Sequence, residues 1–186
     1  MKLRSLVLST LLLSSVTMAD TMTVKQEGIK YIKMLGGTLK MQLQSAMKED
    51  KSGLTALAFC TSSANEITKE VNKKLPSYAR VRRTSLKVRN NTVNTPDALD
   101  IKIMKAYEAD LADKTFSAKD FKVAKAGDVT RVYKPLVTKD VCLKCHGIKL
   151  DSKIAEAVKS SFPHDKATGY KVGDLRGVIV SEIKDH

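Results

Sequence analysis

The sequence lacks the features that mark a membrane-spanning, repetitive or multidomain protein. After the first 19 residues no apolar stretch is long enough to cross a bilayer, which predicts no transmembrane helix in the remaining chain. No internal repeat, low-complexity tract or linker rich in proline, glycine and serine interrupts it, so we expect a single domain over residues 20–186. Only three cysteines occur. At least one of them must therefore stay outside any disulfide within the chain.

The first 19 residues have the pattern of an export signal. Residues 1–4 form a short basic segment. The apolar segment 6–16 that follows is too short to span a bilayer, and residues 17–19 end in a small side chain. We therefore predict a signal peptide over residues 1–19 that is cleaved after Ala19, and a mature protein in the periplasm. The alternative is an uncleaved anchor.

Two of the three cysteines belong to a C-x-x-C-H motif formed by Cys142, Cys145 and His146. In an exported protein this motif is typical of covalent attachment of a c-type haem. The two thiols form thioethers with the haem vinyl groups, and the histidine follows at once, where it can reach the iron as an axial ligand. A redox disulfide is expected in a βαβ context and a zinc site needs a second ligand pair, and the sequence shows neither. A structural disulfide is the third alternative. We predict one haem c attached through Cys142 and Cys145.

The chain is basic, with 33 lysines and arginines against 20 acidic residues and a formal net charge of +13. Export makes nucleic acid an unexpected target for this charge. An acidic redox partner or an anionic membrane surface would be attracted instead. The alternative is a lysine-rich surface that is simply solvated.

The spacing of apolar residues predicts an α+β fold in which helices precede an antiparallel sheet. Helical periodicity covers about residues 23–50, 53–74 and 95–112, with a short helix at 151–162. We expect Thr95 to cap the third helix. Strand-like segments are predicted at 80–89, at 121–125 and 129–133 as a hairpin, and at 175–183 as a buried final strand, with Pro135 diverting the chain toward the haem motif. No regular βαβ alternation occurs, which favours an antiparallel sheet flanked by helices.

The sixth ligand of an iron bound by His146 is left open by the residues alone. Cys60 shares a face of the second predicted helix with Leu57 and Ala64, so it points inward; the alternative is an inert buried cysteine. His164 lies in a loop-like stretch and His186 is the terminal residue. The methionines of the first helix are more typical of core packing than of ligation, namely Met34, Met41 and Met47. An open position is the remaining possibility.

Arginines in the predicted strand at 80–89 have a possible role toward the haem propionates. Arg83 and Arg89 could each clamp a carboxylate through paired N–H groups, and Ser85 could add a hydroxyl. The alternative is an exposed basic strand.

Four blocks of the sequence carry a family resemblance from about residue 54 to residue 183. They are the helix with Cys60 and Ala64, the segment 83–90 with residues 94, 96 and 97, the motif 142–147, and the pair 167–170 and 173–177. In this combination and order they resemble exported c-type haem domains with a PAS-like fold, which occur alone and as the sensory part of bacterial signalling proteins. The departures are Asn91, where proline is common, and residues 99–100, where an aromatic residue and a glutamate are common. The resemblance implies a PAS-like antiparallel sheet and a haem held by His146 on one side and by the thiolate of Cys60 on the other.

This ligand set implies two functions. A thiolate stabilises ferric iron and lowers the reduction potential. The resemblance favours a sensor of redox state or of a small gas, which would need a separate signalling protein because the chain has no output segment. The alternative is a low-potential electron-transfer protein that docks an acidic partner through lysines near the motif, such as Lys139, Lys144 and Lys149. We do not expect an enzyme, because Cys60 would block the iron face and the chain offers few acid–base groups.

Overall fold

The computed structural model describes residues 22–117 and 119–185. The predicted signal peptide, its cleavage after Ala19 and the candidate ligand His186 lie outside the described residues. The helices are α1 (Val24–Glu49), α2 (Leu54–Lys73), α3 (Ala98–Ala112), α4 (Leu143–His146) and α5 (Ser152–Ser161). The strands are β1 (Ala79–Thr84), β2 (Lys122–Ala126), β3 (Val129–Val137) and β4 (Leu175–Lys184), and a 3₁₀ turn over Asp140–Cys142 precedes α4.

The longer helices begin where side chains cap their free N–H groups. Thr23 and Gln26 form a reciprocal capping box at the start of α1. The carboxylate of Asp97 accepts a hydrogen bond from the Asp100 N–H at the start of α3. Thr95 was expected to cap this helix, and that prediction is wrong, because its hydroxyl donates instead to the Asn91 carbonyl.

The four strands form one antiparallel sheet in the order β1-β4-β3-β2. β4 lies inside the sheet and is almost entirely buried, as its continuous apolar run predicts. β1 ends at Thr84, before the predicted end at residue 89, because the Ser85 side chain bonds to backbone carbonyls and the chain leaves the sheet. β3 runs through Pro135 rather than ending before it. Pro135 lies beyond the last residue that pairs with β2, where one edge of β3 is open and a proline is tolerated.

Helices cover both faces of the sheet. α1 and α2 pack on one face, in a core cluster that includes Ile32, Leu35, Val132 and Ile179. α3 packs on the other face, in a cluster that contains Met104, Tyr107, Tyr133, Val178 and Val180. The alternation of Val178, Ile179 and Val180 between the two clusters follows from the two-residue period of a strand.

Buried ion pairs also join α3 to the sheet. The Arg82 guanidinium contacts the Asp100 carboxylate at 2.9 Å and the Glu182 carboxylate at 2.9 Å. Arg80 and Arg131 also contact Glu182. Because Asp100 and Glu182 are almost inaccessible to solvent, these pairs fix the start of α3 against β1 and β4.

A smaller apolar cluster positions the C-x-x-C-H motif. Leu57 of α2 packs with Ile154 and Val158 of α5, and Cys145 packs against this group. The motif is thereby held between α2 and α5.

The predicted α+β class, with N-terminal helices before an antiparallel sheet, is confirmed. Its description as PAS-like and the limits of the domain stay predictions. None of the helices within residues 22–117 and 119–185 is long and apolar enough to cross a membrane.

Candidate functional site

The C-x-x-C-H motif forms a 3₁₀ turn that runs directly into the single turn of α4. The Lys139 N–H lies 3.4 Å from the Cys142 sulfur, and the Gly147 N–H closes the turn on the Leu143 carbonyl at 2.9 Å. A Cβ atom at Gly147 would lie 2.5 Å from that carbonyl oxygen, so the residue after His146 has no room for a side chain. Cys142 and Cys145 are free, half-buried thiols.

The His146 ring is held in one orientation by a hydrogen bond to a backbone carbonyl of a distant loop. Its Nδ1 lies 2.7 Å from the Ala167 carbonyl oxygen, which can only accept, so Nδ1 carries the proton. Burial, with the nearby charges of Arg176 and Arg89, lowers the pKa of His146 to about 2. The imidazole is therefore neutral, and the lone pair of its Nε2 atom is free to bind a metal. Metal-binding histidines are commonly fixed by a hydrogen bond of this kind, from the second ring nitrogen to a backbone carbonyl.

The loop that supplies the Ala167 carbonyl is bound to the motif by backbone hydrogen bonds. The Tyr170 N–H donates to the His146 carbonyl at 2.9 Å, and the Gly169 N–H donates to the Gly147 carbonyl at 3.0 Å. The Tyr170 ring meets the His146 ring edge-on, with the centroids 6.2 Å apart. The loop and the motif thus form one unit.

Arg89 joins the same two segments from the other side. Its Nε and Nη2 each lie 3.1 Å from a carboxylate oxygen of Asp165, and Nη2 also donates to the Cys145 carbonyl at 2.6 Å. Both side chains of this ion pair are 8% exposed. The paired edge of Arg89, which was predicted to clamp a propionate, therefore contacts Asp165 in this structure. The observed role of Arg89 is to hold the motif against the loop.

Cys60 lies on α2, half-buried, in the electrostatic environment of the motif. Burial raises the pKa of the Cys60 thiol, while the positive charges of Arg83, Arg89 and Arg176 act to lower it. Burial also raises the pKa of Cys145, and Cys60 adds to that increase. The cysteine predicted as the sixth ligand and Cys145 are therefore near enough to affect each other's charge, and Arg89 acts on both.

The competing ligands lie in other surroundings. His164 is exposed beyond the end of α5. Met34 packs against the core cluster between α1 and the sheet, and Met41 is 62% exposed. Met47 is half-buried near the end of α1.

Two half-buried arginines near Cys60 have no acidic partner among the described residues. Arg83 donates through Nη2 to the Asn65 side chain at 3.2 Å and to the Ala64 carbonyl at 3.4 Å. Arg176 donates through Nη1 to the Ser85 hydroxyl at 2.9 Å and stacks over the Tyr170 ring. Within the described part of the chain neither guanidinium forms an ion pair, and the Nε atom of each is buried without a hydrogen-bond partner. Burial lowers the pKa of both groups. The two guanidinium groups could therefore each donate a further hydrogen bond to an anionic ligand.

The Ser85 hydroxyl is bonded to the backbone and to Arg176. Its hydroxyl oxygen lies 2.9 Å from the Lys87 carbonyl and 2.8 Å from the Arg176 carbonyl, and it accepts the bond from Arg176. Arg176 was not singled out from the sequence as a site residue. The available signal was a cation two residues before the apolar run Val178–Val180 of the central strand.

No group of three or more histidine, cysteine or acidic side chains that could hold a bare metal ion occurs among residues 22–117 and 119–185. A porphyrin supplies four ligands of its own, so an axial pair such as His146 and Cys60 is all that the protein would need to provide.

Comparison with known proteins gives one family and one fold. A solved structure described as the crystal structure of the cyanobacterial heme-protein Tll0287 matches with a TM-score of 0.63 and 19% identity, over 85% of this chain and 95% of that chain. At this identity the likeness shows the fold. No curated protein matches the chain. The model of the Tll0287-like family matches residues 9–183. The chain therefore belongs to the Tll0287-like family.

Proposed function

We propose that this chain is a periplasmic protein with one covalently bound haem, attached through Cys142 and Cys145 and ligated by His146 and Cys60, that senses redox state or a small gas. Membership of the Tll0287-like family supports haem binding, because the similar solved structure is that of a heme-protein. Export and covalent attachment rest on the sequence patterns, and the sensing role rests on the family resemblance.

The state of His146 is the observation that carries the proposal. A histidine in the fifth position of a C-x-x-C-H motif must offer a neutral nitrogen to the iron. The hydrogen bond from Nδ1 to the Ala167 carbonyl selects the tautomer that leaves Nε2 free, and burial among arginines keeps the ring uncharged.

The charges near Cys60 fit a haem. Haem has two propionates, and two half-buried guanidinium groups in this region, those of Arg83 and Arg176, form no ion pair among the described residues and have buried Nε atoms without a hydrogen-bond partner. We propose that these two arginines, rather than the Asp165-bound edge of Arg89, receive the propionates through their unpaired N–H groups. When bound, the haem would supply one-electron chemistry and a binding position for small gases.

Cys60 would provide the second protein ligand of the haem iron. Its thiol is half-buried, and burial raises its pKa, while the positive charges of Arg83, Arg89 and Arg176 act to lower it. A metal removes the thiol proton outright, which offsets the cost of burying the thiolate. The third cysteine, which the motif leaves unpaired, thereby acquires a role.

Electron transfer at low potential is the second candidate function. It is favoured by the exposed surface beside the motif, where lysines and apolar side chains face solvent. Catalysis is not part of the proposal, because Cys60 would occupy the iron position that a substrate needs.

Haem retention after denaturation tests the attachment. We expect the pyridine haemochrome band of haem c to remain with the polypeptide after acid–acetone extraction, and to be lost in the Cys142→Ala/Cys145→Ala variant. Haem that is extracted from the parent protein would exclude covalent attachment.

The reduced protein then separates the two functions. A Soret band that shifts when CO is added to the dithionite-reduced protein supports sensing, because the sixth ligand has been released. A band that ignores CO supports electron transfer through a six-coordinate iron.

A further inference from the structure

Three of the large apolar side chains that face solvent lie beside the C-x-x-C-H motif. Val141 is 45% exposed, Ile148 is 71% exposed and Val172 is 53% exposed. Ile148 is the most exposed large apolar residue among those described. Single exposed apolar side chains are ordinary, but a group of them at a functional site indicates an interaction surface.

Backbone hydrogen bonds bring the segments that carry these three residues together at the motif. The Gly173 N–H donates to the Thr138 carbonyl at 2.9 Å, and the Thr138 N–H donates to the Asp174 carbonyl at 2.9 Å. Val172 therefore lies next to the start of the motif. The Gly169 N–H donates to the Gly147 carbonyl, which places Ile148 beside the same loop at the other end of the motif. We refer to Val141, Ile148 and Val172 as the motif-edge patch.

An exposed lysine lies within two residues of each member of the motif-edge patch. Lys139 precedes the 3₁₀ turn, Lys149 follows Ile148, and Lys171 precedes Val172; all three are exposed. Asp140 is an exposed acid in this region, and the Asp174 carboxylate accepts a hydrogen bond from the Lys171 N–H. An apolar centre with a basic rim has the organisation of a protein interface, and its charge selects an acidic partner.

We propose that the motif-edge patch and its three lysines form the docking surface for an acidic redox protein, which approaches the haem at the motif. The inference rests on the proposed function, because the partner needs a haem to exchange electrons with. It applies to a sensor that passes its signal to a separate protein as well as to an electron carrier. The lysines accelerate and orient the encounter, and the apolar side chains provide the contact.

Binding to an acidic [2Fe–2S] ferredoxin of the plant type tests the proposal. The haem-loaded protein would be titrated by calorimetry at about 20 mM and about 300 mM salt, and the complex would be joined by a carbodiimide that links lysines to carboxylates. We expect binding that weakens at least tenfold with salt, and cross-links at Lys139, Lys149 and Lys171.

Two matched pairs of variants locate the surface. Lys149→Glu/Lys171→Glu should weaken binding at low salt by at least tenfold, whereas Lys33→Glu/Lys40→Glu, on the exposed side of α1, should change it less than threefold. Ile148→Ser should weaken binding at high salt, and Met41→Ser, at a similarly exposed residue of α1, should not.

Several outcomes would overturn the proposal. Equal losses in the two charge-reversal variants would mean that the net charge, and not this surface, attracts the ferredoxin. Concentration-dependent self-association that Ile148→Ser abolishes would mean that a second copy covers the patch. Binding to phosphatidylglycerol vesicles that only Lys149→Glu/Lys171→Glu abolishes, without ferredoxin binding, would assign the surface to lipid.

The haem spectrum of each variant keeps this test separate from the proposed function. Loss of the covalent haem band in the parent protein refutes the proposed function. An intact band with no salt-dependent binding refutes the docking surface alone.

Discussion

Replacing Arg89 with alanine would leave a buried carboxylate without its cation. The Arg89–Asp165 pair is 8% exposed on both sides, and the same guanidinium donates to the Cys145 carbonyl. Removing one partner of a buried, hydrogen-bonded pair costs about 3–5 kcal/mol of unfolding free energy, because the other charge stays behind. For a urea dependence of about 2 kcal/mol per molar, the unfolding midpoint should fall by about 1.5–2.5 M.

Urea unfolding followed by far-UV circular dichroism measures this cost. Lys73→Ala is the matched control. It also removes the cation of an ion pair, but Lys73 and Glu70 lie on the exposed side of α2. That variant should leave the midpoint unchanged within error, since exposed pairs contribute little. The Arg89→Met/Asp165→Leu variant should recover part of the loss, because it leaves no unpaired charge. An Arg89→Ala midpoint equal to that of the Lys73→Ala control would refute the reasoning.

Two further predictions concern the packing and the charges of the sheet. Gly28→Ala should destabilise the protein by about 1–3 kcal/mol, because the added Cβ would lie 2.5 Å from the Ser181 hydroxyl; Gly37→Ala, which meets nothing within 4 Å, should be neutral or stabilising in the same urea titration. Burial acts to raise the pKa of Glu182, but hydrogen bonds from two β1 arginines lower it overall. The ionised carboxylate therefore stabilises the fold at pH values above the ordinary carboxylate range. This stabilisation is lost as the pH falls through the lowered pKa. Glu182→Gln should therefore lower stability at pH 7 and flatten its decrease between about pH 5 and pH 3; an unchanged acid limb would contradict this assignment.

The helices of this fold could be predicted closely because their limits are local. The sequence itself shows the residues that mark the ends of these helices. They are the capping pair Thr23 and Gln26 of α1, and Gly53 and Pro76 on either side of α2. The strand limits were less predictable. β1 ends at Thr84 because Ser85 bonds to distant backbone, and β3 continues through Pro135 because one edge of the sheet is open there.

The site shows the same division. The motif cysteines and His146 could be identified from spacing, and Cys60 from helical phase together with the family resemblance. The Ala167 carbonyl could not, because a backbone acceptor has no signature in the sequence. The pairing of Arg89 with Asp165, and the unpaired state of Arg176, depend on contacts between residues distant in the chain. Contacts between such distant residues are fixed only when the whole domain has assembled.

The ferric EPR spectrum of the haem-loaded protein, compared with those of Cys60→Ala and His164→Ala, tests the proposed ligand set most directly. The account predicts a low-spin signal of the thiolate type in the parent protein, its loss in Cys60→Ala, and its retention in His164→Ala. A parent signal that persists unchanged in Cys60→Ala would contradict the account.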